Sequence, residues 1–460
     1  MAETVKIISP IDGSVYAERP VADGAEIETA VIKARHATKA WGEVTVAERA
    51  KFLTHFVDAL VNKNDAIVPE LAWQIGRPVR FGGEKRGIEE RSRHMIAIAE
   101  ESLKPVEKTD KPGFRRMITR EPLGIVLVIA PWNYPFLTAV NSIVPGLMAG
   151  NAVILKHASQ TLLAGERFAE AMKAAGLPDG LFQNLVMTHA DTEQLVGSGD
   201  IDHISFTGSV EGGRRIERAA AGTFASLGLE LGGKDPAYVR PDANVAYAAE
   251  NLVDGSFFNS GQSCCGVERI YVHEAVYDPF VSQFIEQARG WKLGNPLEQE
   301  TIVGPMARPQ FADLVREQTQ EALRKGAKSH LNWNDPRDKE GSPYLAPEVL
   351  TEVNHQMAVM REESFGPVVG IMKVTDDDEA VTLMNDSPYG LTASLWTEDL
   401  DTAAKLGARI ETGTVYANRC DYLDPGLVWT GVKDTGKGGA LSEIGYQNLT
   451  QPKSYHLRQL

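Results

Sequence analysis

The sequence predicts an α/β protein built on parallel sheets with helices on both faces. Short apolar runs alternate with helix-patterned stretches from residue 124 onward, and a second such series begins near residue 245. Size agrees: 460 residues, 43% of them hydrophobic and 24% charged, have the balance of an ordinary globular protein. At roughly 150 residues per domain, this length suits two to four units with large cores.

The first hundred residues read as helices. Ile27, Ala30, Val31, Ala34 and Ala37 recur at helical spacing, as do Phe52, Leu53, Phe56, Leu60 and Val61. Residues 105–113 are polar and hold Pro105 and Pro112, and 114–121 alternate like an exposed strand. Runs 124–130, 152–155 and 204–206 are expected as buried strands, with helices at 135–149, 161–175 and 211–221 between them. Further on, 245–258, 276–290, 311–325 and 380–384 read as helices, 269–272 as a strand and 449–460 as a terminal strand. Residues 436–439 read as a glycine-rich loop.

The net charge of −15 argues against nucleic acid as a partner, since a phosphate backbone repels an acidic chain. The most apolar stretch, 124–132, is far too short to cross a bilayer, so no membrane is expected. The N-terminus has no signal-peptide core. Three cysteines make an odd and sparse set, which points to a reducing cytoplasm rather than a disulfide framework. No metal site is expected.

Four segments carry candidate chemistry. Phe258-Asn259-Ser260-Gly261-Gln262-Ser263-Cys264-Cys265 offers a nucleophile: a thiolate suits covalent catalysis, and a glycine ahead of it lets backbone approach a reacting carbonyl. On those residues alone a packed Cys-Cys pair is an equal reading, and Cys265 is expected to point the other way from Cys264. Leu229-Glu230-Leu231-Gly232-Gly233-Lys234 places a carboxylate between leucines, where desolvation raises its pKa toward that of a general base. Ala130-Pro131-Trp132-Asn133-Tyr134-Pro135 puts an amide on a rigid turn after a strand, as an oxyanion donor or as a plain Asx turn. Phe206-Thr207-Gly208-Ser209, followed by Gly212, Gly213 and a helix, suits a pyrophosphate or an ordinary loop.

Taken together and in order, these segments resemble the NAD(P)-dependent aldehyde dehydrogenase superfamily. The likeness runs over nearly the whole chain. It also includes Leu155-Lys156, Glu362-Glu363-Ser364-Phe365-Gly366-Pro367, Asn385-Asp386-Ser387-Pro388-Tyr389-Gly390-Leu391, and Gly431-Val432-Lys433 with Gly436. The resemblance implies Cys264 as nucleophile, Asn133 and the Cys264 backbone N–H as oxyanion donors, and Glu230 as the base that hydrolyses a thioester. It implies NAD or NADP as cofactor, bound by Trp132, Lys156, Ser159, Gly208, Ser209, Gly213, Leu231, Glu363 and Phe365. Many NAD-preferring members carry a glutamate where this chain has Ser159, so NADP is expected to be better tolerated. The Lys156-His157-Ala158 run and the short N-terminus look like a bacterial branch that includes semialdehyde dehydrogenases. By the same likeness, 418–425 border the substrate mouth, where Asp421 and Asp424 suit an aminoaldehyde and Arg419 a carboxylate.

The family architecture implies a Rossmann-type dinucleotide-binding domain (1–103 and 123–231), an α/β catalytic domain (232–430) and a small β oligomerisation arm (104–122 and 445–460). Arm strands pairing across subunits imply a homodimer or homotetramer. The substrate is expected to be a small aldehyde, with a semialdehyde or aminoaldehyde as candidates. The nearest alternative is a CoA-acylating semialdehyde dehydrogenase, whose members generally lack the acid at Glu230. A thiol hydrolase using Cys264 with a histidine, and a non-catalytic binding protein, are further alternatives.

Overall fold

The structure is a computed structural model and describes residues 3–460. Two sheets, parallel except for one edge strand each and with helices on their faces, carry most of the chain. In the first sheet the strands stand in the order Gly436–Lys437, Ser226–Glu230, His203–Thr207, Ile125–Ala130, Ala152–His157, Phe182–Asn184. All pairs are parallel except the short edge strand Gly436–Lys437. Ile125–Ala130 and Ala152–His157 are buried along their full length, as continuous runs in a doubly covered sheet must be.

The chain leaves Ile125–Ala130 in one direction, through Ala152–His157 to Phe182–Asn184. It then returns to lay His203–Thr207 on the other side. That reversal opens a crevice beyond Ala130 and Thr207, where open α/β sheets bind their ligands. The flanking helices are capped locally. Asp23 with Glu26 and Thr45 with Glu48 form capping boxes on Gly24–Glu43 and Val46–Val61. Ser209 caps Val210–Ala220 by accepting from Gly212 N at 3.1 Å.

The second sheet has seven strands, in the order Lys328–Ser329, Glu348–Thr351, Val368–Val374, Val267–His273, Asp235–Val239, Thr392–Trp396, Thr414–Ala417. Its strand beginnings face the strand ends of the first sheet, so the cleft lies between the two. A third sheet pairs Thr450–Arg458 with Phe114–Pro122, and that strand with Val106–Lys108.

Three expectations need correction. The chain does not start with helices: Thr4–Ile8 and Val15–Pro20 form a hairpin first. Residues 436–439 are not all loop, because Gly436–Lys437 pairs with Leu229 and Glu230. Gly436, at φ 117°, lies so close to Leu229 that a Cβ would sit 2.0 Å from its carbonyl oxygen. The arm strand starts at Thr450, because residues 445–448 belong to the helix Ser442–Asn448. The C-terminal strand pairs along one edge with Phe114–Pro122, and its other edge carries no strand of this chain among the described residues. Among the described residues no helix is long and apolar enough to cross a membrane.

Candidate active site

A single cleft of about 1000 Å³ runs between the sheets and is lined by Cys264, Glu230 and Asn133 together with Trp132, Lys156, Ser159, Gly208, Ser209, Leu231, Glu363 and Phe365. Each stands where an element of the sheets begins or ends. Trp132 and Asn133 follow Ile125–Ala130, Lys156 lies near the end of Ala152–His157, Gly208 and Ser209 follow His203–Thr207, and Glu230 closes Ser226–Glu230. Cys264 precedes Val267–His273 and Glu363 precedes Val368–Val374.

Glu230 is flanked by apolar packing, and its carboxylate accepts one hydrogen bond, from Thr207 Oγ1 at 3.2 Å. Burial pushes its pKa up to about 7, with the Thr207 bond and the Arg91 charge pulling the other way. A carboxylate so poised takes and returns protons near neutrality. Lys156 has no carboxylate or hydrogen-bond partner among the described residues, and burial lowers its pKa to about 8.

The loop bearing Cys264 is held in unusual backbone geometry. Asn259, Ser260 and Gly261 all have positive φ, of 53°, 58° and 70°. The close approach that requires glycine is internal: a Cβ on Gly261 would stand 2.2 Å from the carbonyl oxygen of Gly366. Gly261 therefore docks this loop onto the loop of Glu363, rather than making room for a substrate carbonyl. Gln262 anchors the same turn by accepting from Ala307 N at 2.9 Å.

Cys264 is part-exposed to the cleft and free. Cys265 is buried, as expected, but the segment is a turn and its thiol also borders the cleft. Its Sγ lies 3.0 Å from Asp421 Oδ1, which also accepts from Ser263 Oγ at 2.9 Å. The hydrogen bond with Cys264, followed by burial, pushes the Cys265 thiol well up and keeps it protonated.

Asn133 Nδ2 donates to the Gln262 carbonyl at 3.2 Å, which ties the turn after the first strand to the cysteine loop. Sequence reasoning does not reach the residues that brace this junction. Arg77 donates to the Asn133 carbonyl, to Asn259 Oδ1 at 3.1 Å and to Glu84 Oε1 at 2.5 Å. The other oxygen of Glu84 accepts from Phe136 N and Leu137 N at 3.0 and 2.8 Å, capping the start of Leu137–Met148. The partners of Arg77 at Asn133 and Asn259 lie 56 and 182 residues away, so no local pattern signals them.

Glu363 accepts from Gly233 N at 3.0 Å, and burial, then the charge of Glu268, push it up to about 7. Gly232 leaves room for the Glu363 carboxylate, which a Cβ there would displace from its place 2.3 Å away. Trp132 stacks on Phe311 at 5.4 Å and meets Phe365 edge-on at 5.5 Å.

One expected ligand residue is displaced. Gly213 does not line the cleft but packs under Leu231, whose side chain a Cβ would strike at 2.5 Å; Gly212 lines the cleft in its place. At the mouth, Arg419 and Asp421 reach the cleft and Asp424 does not. Asp424 turns back to accept from Gly426 N.

The capped helix start at Ser209, the unpaired ammonium of Lys156 and the carboxylate of Glu363 beside aromatic rings form a long groove. It fits a phosphate-bearing dinucleotide.

Comparison with known proteins agrees with this geometry. A sequence profile described as the aldehyde dehydrogenase family matches residues 1–455. A 3-sulfolactaldehyde dehydrogenase of Priestia megaterium is 34% identical, with 98% of this chain and 94% of the relative covered. A betaine aldehyde dehydrogenase of Bacillus subtilis is also 34% identical, over 74% of this chain and 70% of the relative. The solved structure of an NADP-dependent glyceraldehyde-3-phosphate dehydrogenase from Bacillus halodurans, complexed with NADP, superposes with a TM-score of 0.93 at 31% identity, covering 100% of this chain and 96% of that one. With a two-sheet cleft of this design and a profile match over nearly its full length, the chain belongs to the aldehyde dehydrogenase family.

Proposed function

We propose that this protein oxidises an aldehyde to the free carboxylic acid through a covalent adduct on Cys264, with NAD or NADP as cofactor. One observation carries the reading: Cys264, Glu230 and Asn133 come from different elements and meet in one cleft that also holds a dinucleotide-sized groove.

The Cys264 thiolate attacks the aldehyde carbon, forming a C–S bond while the carbonyl oxygen gains charge. Asn133 Nδ2 and the Cys264 backbone N–H hold that oxyanion. A dinucleotide held in the groove would supply the hydride acceptor, and loss of hydride from the adduct carbon leaves a thioester on Cys264. Glu230 takes a proton from water as the water attacks the acyl carbon, the C–S bond breaks, and the thiolate returns. A carboxylate pushed up to about 7 is matched to that task. Lys156 would bind the ribose of the adenosine half, the helix start at Ser209 with Gly208 and Gly212 the pyrophosphate, Glu363 the nicotinamide ribose, and Trp132, Leu231 and Phe365 the ring region.

NADP is favoured at least as much as NAD. Ser159 brings no carboxylate to repel a 2′-phosphate, and Arg308 Nη2 stands 3.4 Å from Ser159 Oγ without an ion-pair partner among the described residues. Division into dinucleotide-binding and catalytic domains follows the two sheets. The uncovered edge of Thr450–Arg458 supports assembly as a homodimer or homotetramer. Three free thiols suit a reducing cytoplasm.

The relatives by name act on aldehydes of opposite charge, a sulfonate-bearing one and a quaternary ammonium one, so their names leave the substrate open. Glu230 favours water over coenzyme A as acyl acceptor. The deciding assay follows reduced nicotinamide by near-ultraviolet absorbance with an aldehyde and no coenzyme A. Signal that vanishes in Cys264→Ala supports the reading. Product that forms only when coenzyme A is added would replace it with the acylating alternative.

A further inference from the structure

Arg91 projects into the cleft from the helix Lys85–Leu103 and is 9% exposed. Gly87, one turn before it, lets this helix press against Leu137, whose Cδ2 would lie 2.4 Å from a Cβ there. The same contact sets Arg91 Nη1 on the Leu137 carbonyl at 2.9 Å. Nε and Nη2 make no hydrogen bond among the described residues, and no carboxylate lies within ion-pair distance. Burial opposes the charge and pulls the guanidinium pKa down. A buried cation with idle donors is costly unless an anion joins it.

The other charged groups do not supply that anion. Glu84 is committed to Arg77 and to the helix start behind the cleft. Asp421 is engaged by Ser263 and Cys265, and Glu90 by the Tyr422 hydroxyl. Asp254 lies on the cleft wall, where desolvation and then the charge of Asp421 push it up to about 6. Glu230 is pushed up to about 7. Arg419 lies over the Tyr422 ring at 3.4 Å and, like Arg86, has no ion-pair partner among the described residues. The inner cleft therefore offers a guanidinium with open donors, while its acids are engaged by neighbours or raised toward neutrality.

We propose that the aldehydes selected here carry an anionic group, a carboxylate or sulfonate on a short chain. Arg91 receives that group while Cys264 attacks the carbonyl at the other end. The proposal rests on the dehydrogenase reading and adds the substrate class to it. Arg91 acts in binding and takes no part in bond making.

The test compares kcat/KM for 4-oxobutanoate, 3-oxopropane-1-sulfonate, neutral butanal and cationic 4-(trimethylammonio)butanal in the native enzyme and in Arg91→Met and Arg91→Lys. Charge-assisted hydrogen bonds lost from a buried site predict a fall of roughly 10- to 100-fold in the ratio of either anionic aldehyde to butanal in Arg91→Met. The fall is carried by KM, with partial recovery in Arg91→Lys. A ratio that does not move, or a native preference for the cationic aldehyde, overturns the proposal. A second measurement needs neither a variant nor nucleotide: succinate should slow alkylation of Cys264 by iodoacetamide in the native enzyme, and butyramide should not. Equal effects of the two overturn the anion site. If no aldehyde of any charge reduces nucleotide, the dehydrogenase reading falls as well, and protection by succinate alone then reports whether the anion site exists.

Discussion

On the wall formed by the first sheet, Glu230 receives one hydroxyl, from Thr207 at 3.2 Å, and Lys156 has no partner among the described residues. Across the cleft, Glu268 takes three donors: Lys234 Nζ at 2.6 Å, Ser364 N at 2.8 Å and Phe365 N at 2.9 Å. Ser364 Oγ accepts from the same lysine at 2.9 Å and donates to Gln318 Oε1 at 2.6 Å. Glu268 is buried and Glu230 part-buried, yet Glu230 is left short of donors and Glu268 is saturated. The difference follows from what each has to do. A group that must exchange a proton in every turnover has to sit near the pH of its surroundings, and burial with few donors achieves that. A group that must hold Ser364 and Phe365 in place works best with every oxygen occupied.

The strongest test of this contrast is Glu230→Gln. Removing the base should slow thioester hydrolysis by about 10²- to 10⁴-fold while leaving the attack of Cys264 intact. Intact-mass spectrometry after a single turnover should then find an acyl group on the protein. An unmodified protein turning over at the native rate would contradict a role for Glu230 as base. The pH dependence sharpens the point. The ordinary carboxylate value of 4.5 is raised to about 7 at Glu230, so the ionised base is scarce in acid. Deacylation in the native enzyme should climb about tenfold per pH unit up to about 7 and then level, whereas Glu230→Gln should lack that inflection.

On the saturated wall the expected effect falls on stability and cofactor binding. Lys234→Met leaves Glu268 buried beside Ser364 without its counter-charge. Breaking one side of such a pair costs about 3–5 kcal/mol. Denaturation in urea should show a lower midpoint, and KM for the nucleotide should rise because the Glu363–Phe365 loop loses its brace. Native stability with a selective loss of deacylation would reverse the contrast between the walls.

Much of this site is legible in the sequence because its chemistry sits at strand ends, where a short apolar run followed by Asn133, Ser209 or Glu230 leaves a local mark. Cys264 is legible for a different reason, the run of glycine and small polar residues ahead of it. The bracing residues leave no such mark. Arg77 acts on Asn133 and Asn259, and Lys234 reaches Ser364 across 130 positions, so their purpose appears only when the sheets face each other. The N-terminal hairpin escapes a helical reading because Thr4–Ile8 and Val15–Pro20 are short and half exposed, with weak alternation. Gly213 shows the limit of a glycine motif. The spacing marks a helix start correctly, but which glycine faces the groove depends on how Leu231 packs against Gly213.

The smallest expected effect lies at the adenosine end of the open wall. Ser159→Glu would bring a carboxylate beside Arg308, whose Nη2 is 3.4 Å from the serine oxygen. The new acid would pair with Arg308 and face any 2′-phosphate, removing an attraction and adding a repulsion at once. kcat/KM with NADP, relative to that with NAD, should fall on the order of tenfold to a hundredfold. Saturation kinetics with each nucleotide, at one fixed aldehyde concentration, measure the ratio directly. A ratio that stays put would mean the 2′-phosphate does not lie against Ser159 and Arg308. The lack of partners around Lys156 would then need another explanation than cofactor choice.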